Sequence, residues 1–330
     1  MKTNLNRYSL TEIFKQSAKA YSEAFPSFLK KLVIVSTEEV IYVSPDMVKH
    51  FSKYPNNLEK LIKRNAKHIK ENDLHAFVYP AEEMEGSKKE FTSLSIAMGK
   101  INTPYPAEKH GQEISHILFF DHEMGHLIAG RDKNLNFHQG ECIADAFCLM
   151  MHIKRLGNRR RIFAAVAFAN ASHPILTGSP KHYTSQAVFA VEKLSKEIDI
   201  NKLSLKDIAW YAKRIGTKYA LPQKTLDKIN EAYKYPRSIY NNAETEKNYL
   251  ALVMKTMLKN KHDEDIYRAG RLLISRSDWH KIIEQNKKIE PFWNEALRAM
   301  KKHEQETNFI LNPLEKTKVV TRKIENKKPY

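Results

Sequence analysis

The sequence predicts an α+β fold, with strands and helices mixed over residues 1–200 and helices alone over residues 201–312. Three observations carry the prediction. Residues 31–36 (KLVIVS) and 39–44 (EVIYVS) are short β-branched runs, the composition of strands. Residues 92–98 alternate: Leu94, Ile96 and Met98 face one way, Ser93, Ser95 and Ala97 the other, which is the period of a half-buried strand. From Leu203 onward, apolar residues recur almost wholly at helical spacing.

Taken in order, Leu10, Ile13, Phe14, Tyr21, Phe25, Phe28 and Leu29 keep a helical spacing that Pro26 interrupts. The two strand runs follow. A Lys-rich helical pattern returns between Pro45 and Glu71, with a break near Pro55, and residues 73–79 (DLHAFVY) read as another strand. Residues 82–89 are a charged loop. Gly99 ends the alternating strand, and Pro104 and Pro106 mark the loop after it. Residues 112–129 form a helix capped by Gly130. The next helix starts at Asn136 or a neighbour and runs to Leu156, ahead of Gly157. A further helix spans residues 159–171. Residues 172–184 are a loop marked by Pro174, Gly178 and Pro180, and a helix then runs over 184–198. Six more helices are expected near 204–215, 222–233, 243–258, 263–275, 278–285 and 291–302. Residues 313–330 are polar and basic, the composition of a flexible tail.

The chain has 330 residues, 42% hydrophobic and 28% charged, ordinary for a globular protein with a sizeable core. No run approaches the ~20 apolar residues that cross a membrane. Its N-terminal residues lack the apolar core of a signal peptide. Cys142 and Cys148, the two cysteines, lie six apart on one expected helix and point in different directions, so they read as reduced core residues. The net charge of +17 admits an acidic protein partner. It is spread along the chain without a nucleic-acid motif, so nucleic acid is not an expected partner.

The chemistry is concentrated in His122-Glu123-Met124-Gly125-His126, an H-E-x-x-H pattern. Residues four apart share a helix face, so His122 and His126 can grip one metal ion, with Glu123 beside them within reach of its water. A catalytic zinc takes three protein ligands and keeps one position open. The connector after Gly130 is short, so the two helices must run antiparallel. At ~1.5 Å rise per residue, His126 and Glu141 then meet at one height, and His122 and Asp145 one turn further on. Glu141 is thus placed as third ligand, and Asp145 to accept a hydrogen bond from a ligand histidine. Asp132 and His138 are the alternative third ligands. The helix of Glu141 is apolar almost all round, and carboxylates on a buried helix need a cation or a donor.

H-E-x-x-H followed by Glu141-x-x-x-Asp145 resembles the gluzincin metallopeptidases, the thermolysin-like clan, over about residues 90–200. The interval from His126 to Glu141 is shorter than in thermolysin itself, so the likeness is to the clan. It implies a zincin-like catalytic region, a small mixed sheet plus active-site helices. It also implies Zn²⁺ held by His122, His126 and Glu141, Asp145 orienting a histidine, and Glu123 as general base. An edge strand of the kind at 94–98 would hold the substrate backbone. The oxyanion needs one more donor, for which the loop offers His173, His182 and Tyr183, with His182 and Tyr183 preferred.

The expected function is zinc-dependent hydrolysis of peptide bonds in a protein or peptide substrate. The protein would act in the cytoplasm as a regulatory protease, or as a bacterial effector exported without a cleavable signal peptide into a target cell. The rival is a basic binding or adaptor protein whose H-E-x-x-H is accidental or degenerate.

Overall fold

Helix packing against helix builds the core. The computed structural model describes residues 10–26, 32–36, 40–54, 56, 68–71, 74–79, 118, 120–129, 134–156, 175, 178–239, 246–275, 277–286 and 290–315. Within them, α1 is Leu10–Ala24 and α2 Pro45–Lys53. The helix over 120–129 is α3, and Phe137–Leu156 is α4. A 3₁₀ turn at Pro180–His182 leads into α5, Ser185–Glu197. Then come α6 (Leu205–Tyr219), α7 (Gln223–Ala232), α8 (Lys234–Ile239), α9 (Glu246–Lys259), α10 (Glu264–Ile274), α11 (Ser277–Asn286) and α12 (Pro291–Glu306).

The start signals are local. Asn136 accepts from the Gln139 backbone N–H at 2.8 Å while the Gln139 side chain accepts from Asn136 N–H at 3.0 Å, a reciprocal cap that begins α4. Ser204 and Asp207 form the same box at α6, and Asp263 caps α10 by accepting from Ile266 N–H.

α4 is the central rod. Cys142, Ile143, Ala144, Ala146, Phe147, Leu149 and Met150 are all buried, so it is enclosed on every side. It packs against α5, α6 and the 3₁₀ turn. A Cβ on Gly216 would lie 2.6 Å from Ile143 N, so the backbones of α6 and α4 touch there and only glycine fits. One buried cluster runs from Ala18 to Met300, joining the helices beyond residue 200 to those before it.

The α+β expectation is corrected: the described fold is mostly helical, and no zincin-like sheet is shown beside the site. The strands are few and short. β1 (Leu32–Ser36), β2 (Val40–Val43), β3 (His68–Glu71) and β4 (Leu74–Tyr79) pair in the order β2-β1-β4-β3, near α1. β1 pairs antiparallel with β2 and parallel with β4. The physical reason is that α4 is apolar all round and, among the described residues, is covered chiefly by helices: α5, α6 and the 3₁₀ turn pack on it. Residues 68–71, read from their spacing as helical, instead pair antiparallel with β4, a tertiary pairing that outweighs the local period. The alternating run 92–98 and the expected helix at 159–171 lie outside the described residues. So do the charged loop 82–89 and residues 316–330. Pro313–Glu315 forms a 3₁₀ turn, with Leu314 O accepting from Lys193 Nζ at 3.2 Å. No described helix is long and apolar enough to cross a membrane. Cys142 and Cys148 are unpaired and buried, and burial pushes both thiols well up.

Candidate metal centre

Two helices carry the site, and a glycine lets them meet. A Cβ on Gly125 would lie 2.6 Å from Ala144 Cα and 3.2 Å from Phe147 Cβ, so α3 rests directly on the α4 backbone. Gly140, half-buried one turn before Ala144 on α4, faces the His126 ring, with its notional Cβ 4.0 Å from Nδ1. Neighbours pair as His122 with Asp145 and His126 with Gly140, the antiparallel order that the short connector demands. A glycine inside a helix costs roughly 1 kcal/mol against alanine, so its place between the two histidines is itself a packing signal. Gly125→Ala is expected to force the helices apart, costing about 1–3 kcal/mol of stability by overpacking. It should also weaken metal binding, both read by urea unfolding and metal titration. Wild-type values for both would show that the contact does not set the site.

The ligand atoms converge. His122 Nε2 and His126 Nε2 are 3.0 Å apart, and each is 3.4 Å from Glu141 Oε2. The edges of a tetrahedron with bonds of about 2.0–2.1 Å measure ~3.3–3.4 Å. His122 Nδ1 lies 2.7 Å from Asp145 Oδ1. An ionised carboxylate only accepts, so Nδ1 donates to Asp145 and Nε2 is the ring atom that faces Glu141. Glu141 is 6% exposed, and its Oε2 is buried with no hydrogen bond made to it. Two imidazole nitrogens this close to a buried carboxylate oxygen need a proton or a metal cation between them. His122, His126 and Glu141 can therefore hold a metal ion.

The electrostatics agree. Burial lowers the His122 value, but the charge of Asp145 and its hydrogen bond, then Glu141, outweigh this and raise it to about 10. Burial likewise works to raise Glu141, and the close imidazoles of His122, His126 and His182 overcome it, holding its carboxyl far below the usual range.

The other expected residues divide. Glu123 is half-buried on α3, one residue after His122 and three before His126. His182 borders the site, its Nδ1 3.2 Å from Glu141 Oε2. Tyr183 does not. Its hydroxyl is buried with no hydrogen bond made to it, in the field of Arg268 and Asp265 of α10, and burial pushes it up. Both residues are expected from the sequence as oxyanion donors, and the 3₁₀ turn sends the two side chains to opposite sides, His182 outward beside Glu141 and Tyr183 into the core. His138 is not a ligand, because its Nδ1 lies 2.8 Å from Lys181 O and its Nε2 accepts from Leu221 N–H at 3.0 Å. Burial holds it below the ordinary histidine value. Asp132 and His173 lie outside the described residues.

Two contributors have no sequence signal. Thr184 Oγ1 donates to Asp145 Oδ2 at 2.5 Å, so the carboxylate behind His122 is itself held. Lys181 Nζ lies 3.8 Å from Glu141 Oε1 and above the Phe137 ring.

No family model matches the chain, and no curated protein or solved structure shows significant similarity to it. The chemistry of the site is therefore read from its own side chains.

Proposed function

We propose that this chain is a zinc-dependent metallopeptidase of gluzincin type, hydrolysing peptide bonds of a protein substrate. One observation carries the reading: His122 Nε2, His126 Nε2 and Glu141 Oε2 converge at tetrahedral spacing, with a glutamate beside the first histidine. Two imidazoles and a carboxylate are a ligand set that suits catalytic zinc. Zinc bound there supplies Lewis acidity and brings the pKa of its water toward ~7. Glu123 takes the proton of the attacking water and returns it to the departing amine. His182 donates to the oxyanion that develops at the carbonyl. Asp145 keeps the His122 ring turned so that Nε2 faces Glu141.

Zinc content tests the reading. Purified protein should hold about one zinc per chain, as a three-ligand site implies, and cleave a denatured protein pool. Glu141→Ala should lose both the metal and the cleavage. Wild type that holds no zinc after zinc addition would end the proposal. Because the free site keeps His122 protonated at neutral pH, zinc binding should release about one proton. Calorimetry in buffers of different ionisation enthalpy measures that release, and a buffer-independent heat contradicts it.

The charge of +17 favours one other reading, a basic adaptor that engages an acidic partner. That reading expects salt-dependent binding to a polyanion such as DNA, with no hydrolysis.

A further inference from the structure

The 3₁₀ turn at Pro180–His182 reaches Glu141 on both of its oxygens. Lys181 Nζ stands 3.8 Å from Oε1, and His182 Nδ1 3.2 Å from Oε2. The turn is held on α4 by His138, which lies three residues before Glu141 on the same face of the helix. Lys181 O can only accept, so His138 Nδ1 must donate to it; Leu221 N–H can only donate, so His138 Nε2 must accept. Both ring nitrogens are thus committed, the tautomer is set, and the side chain is 3% exposed. Leu221 belongs to the connector between α6 and α7, so this one ring ties that connector, the turn and α4 together.

We propose that His138 is a positioning residue for the metal centre: by docking the Pro180–His182 turn on α4, it sets the Lys181 ammonium against Glu141 Oε1 and His182 beside Oε2, so that Glu141 presents Oε2 to the metal. The proposal rests on the metal-site reading above. It assigns the helices beyond residue 200 a part in the site, since α6 and α7 present the N–H that His138 accepts.

The physical reason lies in the carboxylate. A glutamate side chain rotates, and either oxygen, or both, can take a metal. An ammonium on Oε1 favours one oxygen and one rotamer. Supporting partners of metal ligands typically contribute about 10- to 100-fold in metal affinity.

The test uses three variants of the full chain, each loaded with Co²⁺ as a spectroscopic probe and titrated with zinc against a chelator. His138→Phe keeps the ring's bulk and removes both hydrogen bonds. It should bind zinc about 10- to 100-fold more weakly and shift the visible cobalt spectrum, because Glu141 changes its mode of coordination. His138→Gln restores one donor and one acceptor on a planar group and should recover most of the affinity and the wild-type spectrum. Lys181→Met, at a half-exposed position, should weaken zinc and shift the spectrum in the same direction, and it decides the matter if His138→Phe fails to fold. A wild-type cobalt spectrum and zinc affinity in His138→Phe or in Lys181→Met overturns the proposal. So does a Gln variant no better than Phe. A wild-type protein that binds no Co²⁺ is a different failure, that of the metal-site reading itself.

Discussion

Glu123→Gln should keep its zinc and lose hydrolysis by about 10²- to 10⁴-fold, the contribution typical of a positioned acid–base group. The substitution swaps one oxygen for an NH₂ of the same size. Glu123 is not among the converging ligand atoms, which belong to His122, His126 and Glu141, so the metal should stay. What the amide cannot do is accept a proton from water. Zinc content by atomic emission and initial rates on a denatured protein pool separate the two properties. An unchanged rate would remove Glu123 as the base. Loss of zinc would instead make it a ligand, and the geometry of the site would have to be redrawn.

The second large effect lies behind the metal ligands. Asp121, one residue before His122, is 0% exposed and takes hydrogen bonds from two nitrogens of Arg155 and from the Tyr21 hydroxyl. Arg155 also donates to Ser17 Oγ at 3.0 Å. This network ties α1 to the start of α3 and the end of α4. Burial alone would lower the Arg155 value, and Asp121 outweighs it and raises it, so the guanidinium stays charged. Arg155→Met keeps most of the stem but strands the carboxylate, and breaking a buried pair from one side costs about 3–5 kcal/mol. Urea unfolding at fixed pH should show that loss as a lower midpoint with an unchanged slope.

The deficit should shrink on acidification. Burial already pushes the Asp121 carboxyl up against the pull of Arg155, and without Arg155 the larger opposition is gone and the Tyr21 hydrogen bond remains. The folded state then binds a proton at higher pH than the unfolded chain does. Stability from this group therefore falls as pH rises from the unfolded value through the raised one. Adding Asp121→Asn should recover much of the loss by removing the charge. A single variant as stable as wild type at neutral pH would mean that the pair is not what holds α3 against α4.

What could be read in advance follows the range of the interaction. Helix ends were legible because caps act over three residues: Asn136 with Gln139, Ser204 with Asp207, and Asp263 with Ile266 N–H all follow from neighbouring side chains. The height of Glu141 opposite His126 was legible because a short connector and a known rise per residue leave one arrangement. The class of the fold was not. Short β-branched runs do pair as strands, yet whether a sheet or other helices cover α4 depends on surfaces far apart in sequence. The His182-Tyr183 step shows the same limit, since the direction of each side chain depends on how the turn docks.

Sequence alone determined the chemistry on offer: two histidines four apart, a glutamate between them, and a second carboxylate pair on the next helix. Tertiary structure alone decided how that chemistry is held. Gly125 against Ala144, Asp121 against Arg155, His138 between Lys181 and Leu221, and Lys181 beside Glu141 each join residues 19 to 83 positions apart. Periodicity and capping are local and repeat along the chain. A close backbone contact or a buried ion pair exists only where two distant segments happen to be packed, and no local pattern encodes that meeting.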